Sequence, residues 1–200
     1  YSYLKQQFSN CNDLWNKLKE FVATEDFTLG KPLQEFEKKF SKLIGAKYAV
    51  GVNSGTDAIK LSLKVLGVGQ DDEVITAANT FVATANCGLL CGAKVDLVDI
   101  DSKTWNISLK KLELKLIAAK KKKLLPKVLI VVHLAGLPVN PKILFKLSKK
   151  YKFKIIEDAS HSLGGEYFSK KVGCGLWSDI TVFSFHPVKI ITTGEGGVCV

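Results

Sequence analysis

From residue 48 onward the sequence alternates short apolar runs with segments of helical period, and that alternation limits the fold more than any other feature. Apolar or β-branched runs at 48–52, 73–76, 94–99, 128–132, 154–157, 180–185 and 197–200 predict strands. Between them, 56–66, 81–91, a stretch opened by Ser108, and 141–151 predict helices. Strands separated by helices of about 10–15 residues build parallel βαβ units covered by helices on both faces. Such sheets place ligands at the carboxyl ends of their strands. Two helices are expected earlier, one at 12–22 carrying Leu14, Trp15, Leu18 and Phe21, the other carrying Leu33, Phe36, Phe40 and Leu43 and ending near Gly45. The expected organisation is a helical arm at 1–46 and one α/β domain at 47–200, with no repeat or linker dividing them.

Composition removes several function classes. At 46% apolar and 24% charged, the chain is neither disordered nor collagen-like nor a disulfide miniprotein. The longest nearly apolar run, 128–137, is interrupted by His133 and is too short to cross a bilayer. The segment YSYLKQQFSN lacks a signal peptide's apolar core, so the expected location is cytoplasmic, with no membrane partner. The net charge of +10 comes entirely from Lys, because Arg is absent. A nucleic-acid surface gains from Arg's planar fork and from interleaved aromatics, and the Lys120–Lys123 run has neither, so no nucleic-acid partner is expected. With no Met and an apolar run at its end, the chain is expected to be part of a longer protein. The five cysteines form no CxxC pair and, with three His, suggest no metal site; buried free thiols are expected.

Three polar segments follow predicted strands. In Asn53-Ser54-Gly55-Thr56-Asp57, small residues at a helix N-terminus let backbone N–H groups approach an anion, and Thr56 adds a hydroxyl. The same residues are also an ordinary helix-capping sequence. Ile155-Ile156-Glu157-Asp158 ends an apolar strand in two carboxylates, with His161 three residues beyond Asp158. A buried carboxylate needs a cationic or N–H partner to stay charged. The alternative is that Asp158 caps the following turn and His161 is a satisfied core histidine. In Phe185-His186-Pro187-Val188-Lys189, apolar neighbours at 188, 190 and 191 would strip water from the amine and favour its neutral, nucleophilic form. A solvated surface lysine is the alternative there. Together, an anion cradle, a strand-end carboxylate and a nucleophilic lysine are the contacts pyridoxal phosphate requires: phosphate, ring nitrogen and aldehyde.

With those residues in place, the chain resembles the DegT/DnrJ/StrS family of pyridoxal-phosphate sugar aminotransferases, of fold type I, over essentially its whole length. The resemblance rests on NSGTDAI at 53–59, NTFVATAN at 79–86, HLAGLP at 133–138, EDASHSLGG at 157–165 and SDITVFSFHPVKIITTGEGG at 178–197. It implies a large α/β domain with a mostly parallel sheet sandwiched by helices, and a smaller C-terminal domain that this chain does not include. It implies that Lys189 forms the Schiff base and shuttles the proton. Asp158 would pair with the pyridine nitrogen and His161 would stand near the phenolic oxygen. Gly55, Thr56 and Ser184 would contact the phosphate, Phe81 would stack on the ring, and His186 would contact substrate. Some relatives carry His instead of the lysine and dehydrate; Lys189 implies amino transfer.

The resemblance further implies an amino-acid donor, typically glutamate, and a nucleotide-linked deoxysugar acceptor. The stretch 79–197, which includes Lys189, is most similar to the branch acting at C4 of a UDP-linked 4-keto-6-deoxy-N-acetylhexosamine, on the route to pseudaminic acid. The N-terminal part is closer to the branch acting at C3 of dTDP-linked 3-keto-6-deoxyhexoses. A homodimer is implied as well. A regulatory protein that keeps the cofactor site without catalysis is a further reading.

Overall fold

A strand delivers successive side chains to opposite faces, and in the computed structural model, which describes residues 4–200, this period sorts the core into two layers. The first elements are α1 (Leu4–Gln7), α2 (Asn12–Ala23) and α3 (Lys31–Ile44). The expected arm begins at residue 1, and its first three residues lie outside the described ones. Then come β1 (Val50–Val52), α4 (Gly55–Val65), β2 (Glu73–Ala77), α5 (Val82–Leu90) and β3 (Lys94–Val98). They are followed by α6 (Leu109–Lys122), β4 (Val128–Val132), α7 (Pro141–Tyr151) and β5 (Lys154–Asp158). A hairpin of β6 (Glu166–Tyr167) and β7 (Lys170–Lys171) precedes β8 (Ile180–Ser184) and β9 (Gly197–Cys199).

The main sheet has seven strands in the order β1-β9-β8-β5-β4-β2-β3. The pairs β2–β3, β2–β4, β4–β5 and β5–β8 are parallel, so the α/β reading with a mostly parallel sheet holds. β9 is the exception, running antiparallel to both β1 and β8. Its apolar run predicts a strand but carries no information about direction.

Alternation within the strands decides which helix covers which face. Val74, Val128, Ile130, Ile156 and Val182 pack with Ala58, Ile59 and Leu63 of α4 and Cys87 of α5. Ile75, Leu129, Val131 and Ile155 point the other way, onto Leu112 and Leu116 of α6 and Leu144 and Leu147 of α7. On that second face Phe40 of α3 meets Phe183 with ring centroids 5.3 Å apart, and Phe185 at 5.7 Å. In α2 none of the residues is buried, and Leu14, Trp15, Leu18 and Val22 are all about half exposed.

Local chemistry sets the helix ends. Ser54, Ser108 and Asn140 accept from backbone N–H groups in the first turns of α4, α6 and α7. Gly45 ends α3 at φ +80°, a conformation in which a side chain is strained. Lys120–Lys123 form the exposed last turn and cap of α6, where cations meet the negative end of the helix dipole. The expectation that the thiols are buried needs correction. Only Cys87 is fully buried, its thiol pushed up to about 11 chiefly by burial, while Cys91, Cys174 and Cys199 are half-buried thiols. Among the described residues, no helix is long and apolar enough to cross a membrane.

Burial predicts a contrast within α6. Leu116 is fully buried and Leu114 is 59% exposed. Leu116→Ala is expected to lower unfolding free energy by about 2–5 kcal/mol, and Leu114→Ala to change it by less than about 0.5 kcal/mol, both read from urea denaturation.

Candidate active site

Parallel strands end on one side of the sheet, so the segments after β1, β2, β4, β5 and β8 converge there. They enclose a cleft of ≈ 510 Å³ whose lining includes Gly55, Thr56, Phe81, Thr84, Asp158, Ser160, His161, Ser184, His186, Lys189 and Glu195. Every site residue expected from the sequence lines this cleft.

Its floor is the start of α4. Ser54 caps the helix, its Oγ accepting from Asp57 N at 3.1 Å, so the capping reading of this segment is correct. The anion reading is compatible with it. Gly55 and Thr56 are the first two helical residues, and their N–H groups have no partner within the helix. Glycine is needed here for space. A Cβ on Gly55 would lie 2.8 Å from Ser184 Cβ, and one on Gly197 of β9 would lie 2.4 Å from Ser54 O. The cradle is therefore formed by α4, β8 and β9 at backbone contact distance.

Asp158 lies at the end of β5 and is 6% exposed. Its Oδ1 accepts from Ser160 Oγ at 2.7 Å and Ser160 N at 3.2 Å, and its Oδ2 accepts from Thr84 Oγ1 at 3.1 Å. Asp158 thus caps the turn that follows it, as the structural alternative supposes. A carboxylate has about four acceptor positions, so one on Oδ2 is left over for a donor from the cleft. Thr84 and Ser160 were not singled out from the sequence. Both lie within the quoted motifs, yet helical period alone does not show that Thr84 reaches across to β5.

His161 is no core histidine. It is exposed, and its Nε2 lies 3.1 Å from Lys189 Nζ. Loss of water on its packed side, then the neighbouring Lys189 amine, holds its pKa below the usual value, against an opposing pull from Asp158. The sequence argument for Lys189 also needs correction. Val188, Ile190 and Ile191 are 63%, 56% and 45% exposed, so they do not dry the amine. Lys189 is half-buried by the cleft itself and is engaged by His161. At the mouth, Phe81 is 72% exposed, and His186 Nε2 lies 3.8 Å from Glu195 Oε1.

The donor set fits pyridoxal phosphate on structural grounds: glycine-lined helical N–H groups for a phosphate, an acceptor position on a buried carboxylate for a ring N–H, and an amine for an aldehyde. Residues 10–200 match the DegT/DnrJ/EryC1/StrS aminotransferase family. The chain belongs to that family. It is 42% identical over 200 residues to the UDP-4-amino-4,6-dideoxy-N-acetyl-beta-L-altrosamine transaminase of Campylobacter jejuni, covering 100% of this chain and 50% of that protein. The fold matches the crystal structure of a DegT DnrJ EryC1 StrS aminotransferase from Brucella abortus with a TM-score of 0.93 and 31% identity, over 100% of this chain and 54% of that one. It matches ntda from Bacillus subtilis with bound cofactor PMP with a TM-score of 0.84 and 33% identity, over 96% and 42%. The chain spans about half the length of the curated relatives it matches.

The contact between His161 and Lys189 makes a prediction about proton binding. A depressed histidine pKa means that the unfolded chain takes up the proton first, so this group's contribution favours folding above about pH 6.5 and fades as pH falls below it. In an NMR titration His161 is expected to titrate below 6.5, and Lys189→Ala is expected to move its midpoint upward.

Proposed function

We propose that this chain is the cofactor-binding part of a pyridoxal-phosphate aminotransferase that moves an amino group from an amino acid, glutamate being the expected donor, to a keto group of a nucleotide-linked deoxysugar. The observation that carries this reading is the convergence of the Gly55–Thr56 cradle, Asp158 and Lys189 on one cleft. When bound, the cofactor supplies an electron sink that lets a proton leave the substrate carbon. The residues have separate tasks. Gly55, Thr56 and Ser184 would hold the phosphate, the first two through helical N–H groups. Asp158, fixed by Thr84 and Ser160, would hold the proton on the ring nitrogen. Lys189 Nζ takes a proton from the substrate carbon and returns it, as general base and then acid. His161 holds Lys189 and would lie near the phenolic oxygen, Phe81 would stack on the ring, and His186 would meet substrate at the mouth.

The finer reading is amination at C4 of a UDP-linked 4-keto-6-deoxy-N-acetylhexosamine, on the route to pseudaminic acid. It is supported by 42% identity, over the whole chain, to a transaminase of a UDP-linked amino sugar. The same reading takes residues 47–200 as the cofactor-binding domain and 1–46 as a helical arm, in a cytoplasmic homodimer. The exposed Val188, Ile190 and Ile191 beside the cleft are consistent with a surface that a second subunit covers.

The test uses the full-length protein that carries this chain. Added cofactor is expected to give visible absorption, and borohydride reduction followed by peptide mapping should place the label on Lys189. A label elsewhere, or no colour, would sink the proposal. Lys189→Ala is expected to lower amino transfer by about 10²–10⁴-fold or more. A panel of UDP-linked 4-keto and dTDP-linked 3-keto sugars decides the acceptor.

A further inference from the structure

β5 ends in two carboxylates, and the proposed chemistry uses only one. Glu157 points away from the cleft, onto the opposite face of the sheet from Asp158, and is 6% exposed. A buried carboxylate is a liability in a fold that an apolar side chain would stabilise as well or better. Yet this one is elaborately provided for. Its Oε2 accepts from Thr181 Oγ1 at 2.7 Å and from Ser178 Oγ at 2.8 Å. Its Oε1 faces His133 Nε2 at 3.4 Å.

His133, at the end of β4, is 1% exposed. Its Nδ1 accepts from Val139 N at 3.3 Å, which leaves the ring proton on Nε2, directed to the Glu157 side. That contact is too long or too oblique for a full hydrogen bond, since Nε2 has no bonded partner. The backbone joins this cluster to the cleft: His133 N donates to Asp158 O at 3.1 Å. Burial pushes the Glu157 carboxyl up, and the contacts with His133, Thr181 and Ser178 outweigh it, so it lies below the usual carboxylate range.

We propose that Glu157 is a positioning residue for Asp158: as a charged carboxylate on the far side of the sheet, clamped by His133, Ser178 and Thr181, it fixes the end of β5 and strengthens the hold of Asp158 on the cofactor's ring-nitrogen proton. This rests on the function proposed above. On the far side, Lys170 and Lys171 of the hairpin line the same small cavity as Glu157. On the cleft side, His161, His186, Lys189 and Glu195 are the ionisable side chains that line the cleft with Asp158. Removing the far-side charge leaves Asp158 facing them alone.

The experiment uses the full-length protein loaded with pyridoxal phosphate carrying ¹⁵N in its ring, with the ring resonance followed by NMR against pH. In Glu157→Gln the midpoint for loss of the ring proton is expected to fall by about one pH unit, the size of one partly screened charge nearby. The double variant S178A/T181V withdraws both hydroxyl donors and loosens the clamp on Glu157, so a smaller fall in the same direction is expected. Ring protonation at full occupancy is a readout that a purely structural role would not move. Titrations identical to the parent in both variants would overturn the inference, as would failure of both to fold, which would assign the cluster to stability alone. A parent protein that takes up no cofactor would overturn the proposed function and this inference together. A coloured parent with unshifted variants would overturn this inference only.

Discussion

A carboxylate can be buried at a strand end only if the surrounding elements bring it donors, and β5 ends in two of them. Asp158 is supplied by Thr84 of α5 and by Ser160 in the turn beyond. Glu157 is supplied by Ser178 and Thr181, at and just before β8, with His133 of the β4 end facing it. These contacts tie the ends of three strands and one helix to a common point. The cleft opens beside that polar junction, with Asp158 in its lining.

The second condition is steric. Gly55 and Gly197 bring α4, β8 and β9 to distances at which a Cβ would collide with Ser184 or with the Ser54 backbone. Close approach exposes unpaired helical N–H groups to the cleft instead of covering them with side chains. The capping and anion-binding readings of residues 53–57 are then one arrangement. Ser54 satisfies Asp57 N and leaves the preceding N–H groups available.

Most of the layered fold was legible because strand and helix periods differ and each is written plainly here. β4 and α7 have the bounds that periodicity predicts, and other elements differ by a residue or two. What periodicity does not encode is pairing. The direction of β9 and its place between β1 and β8 follow from the return of the chain, not from its apolar run. The β6–β7 hairpin was also hidden. Its turn residues, Phe168 and Ser169, both take positive φ, at 50° and 57°, without the Asn-Gly signature that announces such turns. At the site, the motifs locate Asp158 and Lys189, but apolar neighbours in sequence do not account for the setting of Lys189. In a loop, apolar neighbours have no face to share with the core, so Val188, Ile190 and Ile191 point outward, and His161 is what meets the amine.

The position of β9 also bears on how the molecule assembles. β2, β3, β4 and β5 can pair through local crossovers, whereas β1 pairs with β9, and Cys199 Sγ meets Ala58 O across 141 positions of sequence. Closing a loop of that length costs on the order of 4 kcal/mol in chain entropy before any contact repays it. The half of the cleft that carries the helical N–H groups therefore rests on pairing between distant parts of the sequence. A ligand that bridges both halves would add its binding free energy to that long-range closure, so saturation would be felt where β1 and β9 join the sheet.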